Sequence, residues 1–506
     1  MSKLLRVASV PLLITAALPA GLAMAAPLTS QTTRPAFEQV PCSALHLEKL
    51  GEGVTCGRLL VPESAASVRA VMLSLPFVVL RATGPKKRED PVLYLHGGPG
   101  LATLENAPRY AQSALIKSLR ERRDYVMFDQ RGTGLVTPGV CPEFDVELAR
   151  IEKEAPSPSA GTQRKRDAAT ACRKQLLAQG RDPAAYTSTA IADDIESLRK
   201  ALGYKHWNVL ATSYGSFPAF ELARRYPETV RSMVLNSPFP PNSPNRAEQV
   251  TTTLEGLAAL QARCNDDLAC AKAHPDLRKE AGGVIKRLNE APLKMDGGQI
   301  DGYTFSGVVW NLLVRGKTAS LLPEFLARAT SGDDATVRKL GAPFAGAQSF
   351  GTLAFAQQWL VSCHDIYPRP STAAIQMALA ANADFAPRMD PAEQDTICAE
   401  LQPTSAPSSF YTDANLTVPV LVYAGEYDPA TPTSDANATM ELLTRGTLVH
   451  VAGASHAPMG TDDCTLGIAH RFLGDPTSRL DLACLSQRHK PVFPGPSAFD
   501  EFLKSL

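Results

Sequence analysis

A serine hydroxyl becomes a useful nucleophile only with help. A base must take its proton, an acid must orient that base, and N–H dipoles must await the oxyanion. Three polar residues of this 506-residue chain are spaced for that division of labour. Ser213 lies within residues 207–220, WNVLATSYGSFPAF, between a short apolar run and a helix-like segment closed by Pro227. Ala211 two positions before it and Gly215 two positions after it are small, as a sharp strand-to-helix turn requires. Asp428 follows the apolar run 418–424, and His456 follows the run 447–451. In this order His456 would accept the hydroxyl proton, while Asp428 would fix the imidazole tautomer and stabilise its cation. The N–H of Tyr214 would be one oxyanion donor. The turn His96-Gly97-Gly98-Pro99-Gly100 would give another, with Gly98 preferred to Gly97 on position alone. Each piece has a plain structural explanation when taken singly. Their joint placement at the carboxyl ends of successive strands is what points to chemistry.

Those strands are read at 55–62, 71–80, 91–95, 125–128, 207–210, 230–236, 418–424 and 447–451. Between them, residues 189–202 carry Ile191, Ile195, Leu198 and Leu202 at helical spacing. Strand alternating with helix predicts an α/β core with a mostly parallel central sheet flanked by helices. The rhythm changes between 238 and 407, where helix-like segments (252–264, 305–314, 321–329 and 353–361) replace long strands. We read this as an inserted helical cap. The expected organisation is a signal peptide at 1–25, the first part of the core at 26–237, the cap at 238–407 and the rest of the core at 408–506. Residues 152–163, rich in Pro, Ser, Ala and Gly, read as a surface excursion.

Charge narrows the partners. Lysine and arginine total 51 against 51 aspartates and glutamates, which argues against nucleic acid or an acidic membrane surface. Lys3 and Arg6 precede the mostly apolar stretch 7–22, and Ala23-Met24-Ala25 offers a cleavage site after Ala25. Export to the periplasm or beyond is therefore expected, with no membrane contact in the mature form. Ten cysteines fall in sequence-local couples, and nearest-neighbour disulfides are the expected pairing. There is no tandem C-x-x-C and no H-E-x-x-H, and the glycine turns carry neither a G-x-G-x-x-G run nor a G-K-[ST] ending, so neither a metal nor a cofactor is expected.

His96-Gly97-Gly98-Pro99-Gly100, Asp129-Gln130-Arg131-Gly132-x-Gly134, the elbow Ser213-Tyr214-Gly215 and Gly425-x-x-Asp428-Pro429-x-Thr431-Pro432 together resemble one family. It is the prolyl iminopeptidase and tripeptidyl aminopeptidase branch of the α/β-hydrolases, in its long secreted form. The resemblance runs roughly from Cys42 to Cys484 and is weakest in the insertion. It implies a serine exopeptidase acting on peptides with a free N-terminus, with a helical cap restricting access. It also implies catalytic roles for Ser213, Asp428 and His456, and bracing roles for Asp129 and Arg131. Two departures stand out. Ala211 replaces the family's usual glycine. The cap lacks the tryptophan-rich, glutamate-bearing motif by which short prolyl iminopeptidases hold a substrate amine. Asp365 is a candidate replacement for that anchor, against the plainer reading of a cap carboxylate with structural hydrogen bonds. Two rival functions remain open: an esterase or amidase using the same three residues, and a non-catalytic binding protein of this fold.

Overall fold

The computed structural model describes residues 37–505 apart from 65–70, 155–157, 245–248, 296–297, 343–352, 369, 403, 413–415 and 488–491. The expected signal peptide, residues 1–25, lies outside the described residues.

The apolar runs become strands β1 (Phe37–Val40), β2 (Val54–Pro62), β3 (Met72–Leu80), β4 (Val92–Leu95), β5 (Tyr125–Phe128), β6 (Trp207–Ser213) and β7 (Val230–Pro238). A short antiparallel hairpin, β8 (Leu293–Met295) and β9 (Gly298–Ile300), interrupts the helical region before β10 (Val420–Gly425) and β11 (Gly446–Val451). One sheet takes nine of these in the order β1-β2-β3-β5-β4-β6-β7-β10-β11. Pairing is antiparallel from β1 through β3 to β5 and parallel from β5 onward. This is the α/β-hydrolase fold.

The strands alternate between two buried layers because successive side chains leave a strand on opposite faces. On β6, Trp207, Val209 and Ala211 enter one layer and Leu210 the other. On β10, Val420 and Val422 face the first, and Leu421 and Tyr423 the second. Burial on both faces explains why these strands read as continuous apolar runs. Helix Ser188–Leu202 covers the first layer with Ile191, Ile195 and Leu198. Its N-cap Thr187 accepts the Ala190 N–H, and Gly203 ends it in the left-handed conformation.

The chain reverses direction across the sheet at β4, which lies between β5 and β6. A crevice opens at the carboxyl ends of strands at such a switch point. Register keeps those ends level: Leu95 pairs with Ala211, Ala211 with Leu235, and Tyr423 with Asn236.

Three features differ from the sequence reading. An edge strand, β1, precedes the first strand read from the sequence and pairs with β2 beside the Cys42–Cys56 disulfide. The proposed surface excursion is largely helical, in Pro142–Glu154 and Pro158–Ala178, with Cys141 bonded to Cys172. The last helix, Pro496–Ser505, was grouped with the sheet but packs on the helical region: Phe499 is buried there, and Arg328 pairs with Asp500 at 2.8 Å. Cys264–Cys270, Cys363–Cys398 and Cys464–Cys484 complete the nearest-neighbour disulfides.

Between β7 and β10, helices Val250–Asn265, Leu277–Glu290, Gly302–Val314 and Leu322–Thr330 bury one apolar cluster. Helices Phe355–Val361 and Glu393–Leu401 instead pack with Pro142–Glu154 and Pro158–Ala178. Among the described residues, no helix is long and apolar enough to cross a membrane.

Candidate active site

Ser213 ends β6 with φ at 56°, a left-handed conformation that costs a non-glycine residue energy and persists only where the surroundings enforce it. The enforcement is visible. Ser216 Oγ donates toward Ser213 O at 2.7 Å, and helix Ser216–Arg225 starts at once. Gly215 sits against β4, where an added Cβ would lie 2.4 Å from Leu95 O. Gly97 faces the serine itself, where a Cβ would approach Ser213 Cβ to 2.9 Å. Ala211 keeps its methyl group fully buried in the core layer.

Asp428 and His456 come from the loops after β10 and β11. Asp428 Oδ2 accepts the His456 Nδ1–H at 2.8 Å, and this contact selects the tautomer that leaves Nε2 unprotonated. Asp428 is fully buried and also accepts the N–H groups of Ala430 and Thr431 and the Thr431 hydroxyl. Burial pushes the Asp428 carboxyl up, but the His456 charge and these hydrogen bonds outweigh it and hold the pKa below the usual value. Burial likewise pulls His456 down, and the Asp428 carboxylate outweighs it, so the imidazole titrates above its ordinary range. Ser213 Oγ makes no hydrogen bond to the His456 ring. The Ser213 carbonyl accepts the Phe239 N–H at 3.3 Å, one residue beyond β7.

Ser237, on that strand, is a residue the sequence reading missed. It is buried with φ at 54°, its hydroxyl accepts the Ala457 N–H at 2.9 Å, and its carbonyl accepts the Thr431 hydroxyl at 3.1 Å. It thus joins the acid loop to the base loop. A lone serine at a strand end gives no sequence signal for such a role.

The proposed oxyanion donors stand on neighbouring turns because β4 pairs with β6. Gly98 is exposed and Tyr214 is buried, and neither donates its N–H to a backbone carbonyl among the described residues. Asp129 braces the loop that follows the Gly98 turn, its carboxylate accepting the N–H groups of Thr103, Leu104 and Leu135, while Gln130 Nε2 donates to His96 O at 3.1 Å within the turn. Burial pushes the Asp129 pKa up to about 6 despite those three bonds. Arg131 forms a buried two-point pair with Asp194 at 2.7 and 2.8 Å and also donates to the carbonyls of Glu63 and Ala185.

The helical region grips the same loops. Arg263 pairs with Glu426 at 2.9 Å, and Glu426 in turn accepts the Gly453 N–H. Trp310 Nε1–H donates to Pro429 O at 3.2 Å, and Ser455 Oγ donates to Leu313 O. Asp365 lies in a π-helical turn, Ser362–Ile366, and is fully buried. Its Oδ2 accepts the Ser188 N–H at 2.7 Å and its Oδ1 faces His364 Nδ1 at 2.6 Å. Among the described residues, no group of three or more His, Cys, Asp or Glu side chains is placed to hold a metal ion.

Comparison with known proteins adds to this geometry. Residues 90–267 match the family described as alpha/beta hydrolase fold, and residues 385–484 match the family described as TAP-like protein. Serine protease Hip1 of Mycobacterium tuberculosis is 29% identical over 244 residues, which span 46% of this chain and 45% of that protein. Tripeptidyl aminopeptidase of Streptomyces coelicolor is 29% identical over 201 residues, 38% of this chain and 36% of the relative. The matched stretch is therefore less than half the length of either relative. A solved proline iminopeptidase from Mycobacterium smegmatis superposes with a TM-score of 0.36 at 16% identity, covering 83% of this chain and 98% of that one.

Proposed function

We propose, for a chain that belongs to the α/β-hydrolases and carries a TAP-like C-terminal segment, a serine aminopeptidase that works through an acyl-enzyme. Ser213 Oγ attacks the scissile carbonyl carbon while its proton passes to His456 Nε2. Asp428 stabilises the resulting imidazolium. The N–H groups of Tyr214 and Gly98 receive the tetrahedral oxyanion. Its collapse breaks the C–N bond, and His456 returns the proton to the departing amine. Water then attacks the Ser213 ester, gives its proton to His456, and releases the carboxylic acid as Oγ recovers its hydrogen. The observation that carries this reading is the buried Asp428 bonded to His456 at 2.8 Å, two strands from a serine held at φ 56°.

The substrates we assign are peptides with a free N-terminus, on the strength of the names borne by the relatives. Residues 238–407 act as the cap, since contacts from Arg263, Leu313 and Trp310 set the loops around the crevice. Five disulfides support an oxidising location outside the cytoplasm. The deciding experiment compares tripeptidyl and aminoacyl anilides with their N-blocked forms. Turnover confined to unblocked substrates, abolished by Ser213→Ala, is expected. Equal turnover of blocked substrates would replace the aminopeptidase with a general amidase or esterase.

A further inference from the structure

The segment from Leu353 to Ile366 meets the turn that carries one oxyanion donor and packs against the side chain of the residue that carries the other, with Val361 and Ile366 clustered with Tyr214. At its start, Ala354 N–H donates to Gly100 O at 3.0 Å, and Leu353 bridges to Leu101, directly beyond the Gly98 turn. At its end, Asp365 accepts the N–H of Ser188. The Ser188 hydroxyl lies 2.9 Å from the Tyr214 hydroxyl, and both residues are fully buried. A run of contacts therefore leads from a cap carboxylate to the residue after the nucleophile. The Tyr214 ring otherwise sits in an apolar cluster, stacked on Phe217 at 5.7 Å and grouped with Val361, Ile366 and Phe410. Apolar packing of that kind fixes depth better than orientation, whereas one buried hydrogen bond fixes the phenol oxygen.

We propose that Asp365 is a positioning residue for the oxyanion site, acting through Ser188 on Tyr214, and not an anchor for a substrate amine. Both of its carboxylate oxygens are already met by internal partners, and it has no exposed surface to offer an ammonium group. The inference rests on the serine-hydrolase reading of Ser213, but not on peptide specificity. The segment holds the Gly98 turn at one end and Tyr214 at the other, so the spacing of the two donors follows from one piece of the cap. The Cys363–Cys398 disulfide ties that piece to helix Glu393–Leu401.

The test uses Ser188→Ala, Tyr214→Phe and Asp365→Asn in the full chain. Each is measured by kcat and KM on blocked and unblocked substrates, by the rate of inactivation with a fluorophosphonate, and by thermal midpoint. Inactivation forms the Oγ–P bond, expels fluoride and passes the serine proton to His456, so it needs the oxyanion donors but no peptide recognition. With rates normalised to titrated active sites, kcat and the inactivation rate should each fall about tenfold, less than the roughly 10²–10³-fold lost when a donor is removed outright. KM should be unchanged, and the double variant Ser188→Ala/Tyr214→Phe should be no slower than either single one. Should Asp365→Asn fail to fold, the two hydroxyl variants carry the test. Inactivation within twofold of the parent in both would overturn the proposal. So would a rise in KM for unblocked substrates alone in Asp365→Asn, the mark of an amine anchor. A parent chain that fluorophosphonate never labels would overturn the hydrolase reading along with it.

Discussion

Gly215→Ala and Ala211→Gly each alter one small neighbour of Ser213 by a single methyl group, in opposite directions. At Gly215 the new Cβ would lie 2.4 Å from Leu95 O and 2.9 Å from Leu95 C. A relaxed carbon–oxygen contact is about 3.3 Å, so helix and strand must part by roughly 1 Å at the turn bearing the nucleophile. A displacement of that size costs about 10²-fold in rate. At Ala211 the change removes a buried methyl group, worth about 0.8 kcal/mol, and adds glycine's chain entropy within a strand, about 0.5–1 kcal/mol. The sum, about 1–2 kcal/mol, falls on stability and leaves the turn alone. The assay is fluorophosphonate labelling rate beside the thermal midpoint. Gly215→Ala should label about 100-fold more slowly, and Ala211→Gly at the parental rate with a midpoint a few degrees lower. Parental labelling by Gly215→Ala would refute the steric argument. Slow labelling by a fully stable Ala211→Gly would show that the methyl group itself shapes the site.

Three further outcomes follow from the charged groups. His456 titrates above the ordinary value of 6.5, and the base must be neutral, so kcat/KM should fall on the acid side with a midpoint above pH 6.5. Asp428→Asn should lower kcat about 10⁴-fold and shift that limb to lower pH; a pH profile of the variant that matches the parent would refute the pairing. Asp145 accepts the Ala356 N–H, yet burial pushes its carboxyl up to about 7. A folded-state pKa raised above the unfolded one gives stability that is full below pH 3.8 and lost as pH rises through 7. Allowing for partial solvent screening, Asp145→Asn should remove on the order of 1–3 kcal/mol of pH dependence from thermal melts between pH 4 and 8. An unchanged slope would refute it.

The central strands were legible because burial on both faces leaves long apolar runs, as at Val420–Gly425. The elbow was legible because a tight turn tolerates only small flanks, and Ala211 meets that need as glycine would. β1 was not, since FEQV at a sheet edge is mostly exposed and carries no hydrophobic pattern. Helix Pro158–Ala178 begins in a Pro-Ser-Ala-Gly stretch that local propensity reads as loop, while Cys172 and Leu176 anchor it in a distant cluster. Ser188 and Ser237 escaped for a different reason. Their roles come from partners far along the chain, 26 positions from Ser188 to Tyr214 and 220 from Ser237 to Ala457, and no local spacing encodes them.

The closing helix, Pro496–Ser505, changes how the entrance to the crevice must work. The chain enters the helical region after β7, leaves it before β10, crosses two more strands, and then returns to lay Phe499 into the same apolar cluster. A body tethered at both ends and clasped a third time has lost the rotation that a hinged flap would use. Under the proposed aminopeptidase reading, selection of peptide length would then fall to a fixed opening, read by what can thread it and not by what can trigger it. Such a filter discriminates through cross-section and reach, and removal of the last ten residues would restore the missing degree of freedom while leaving the sheet intact.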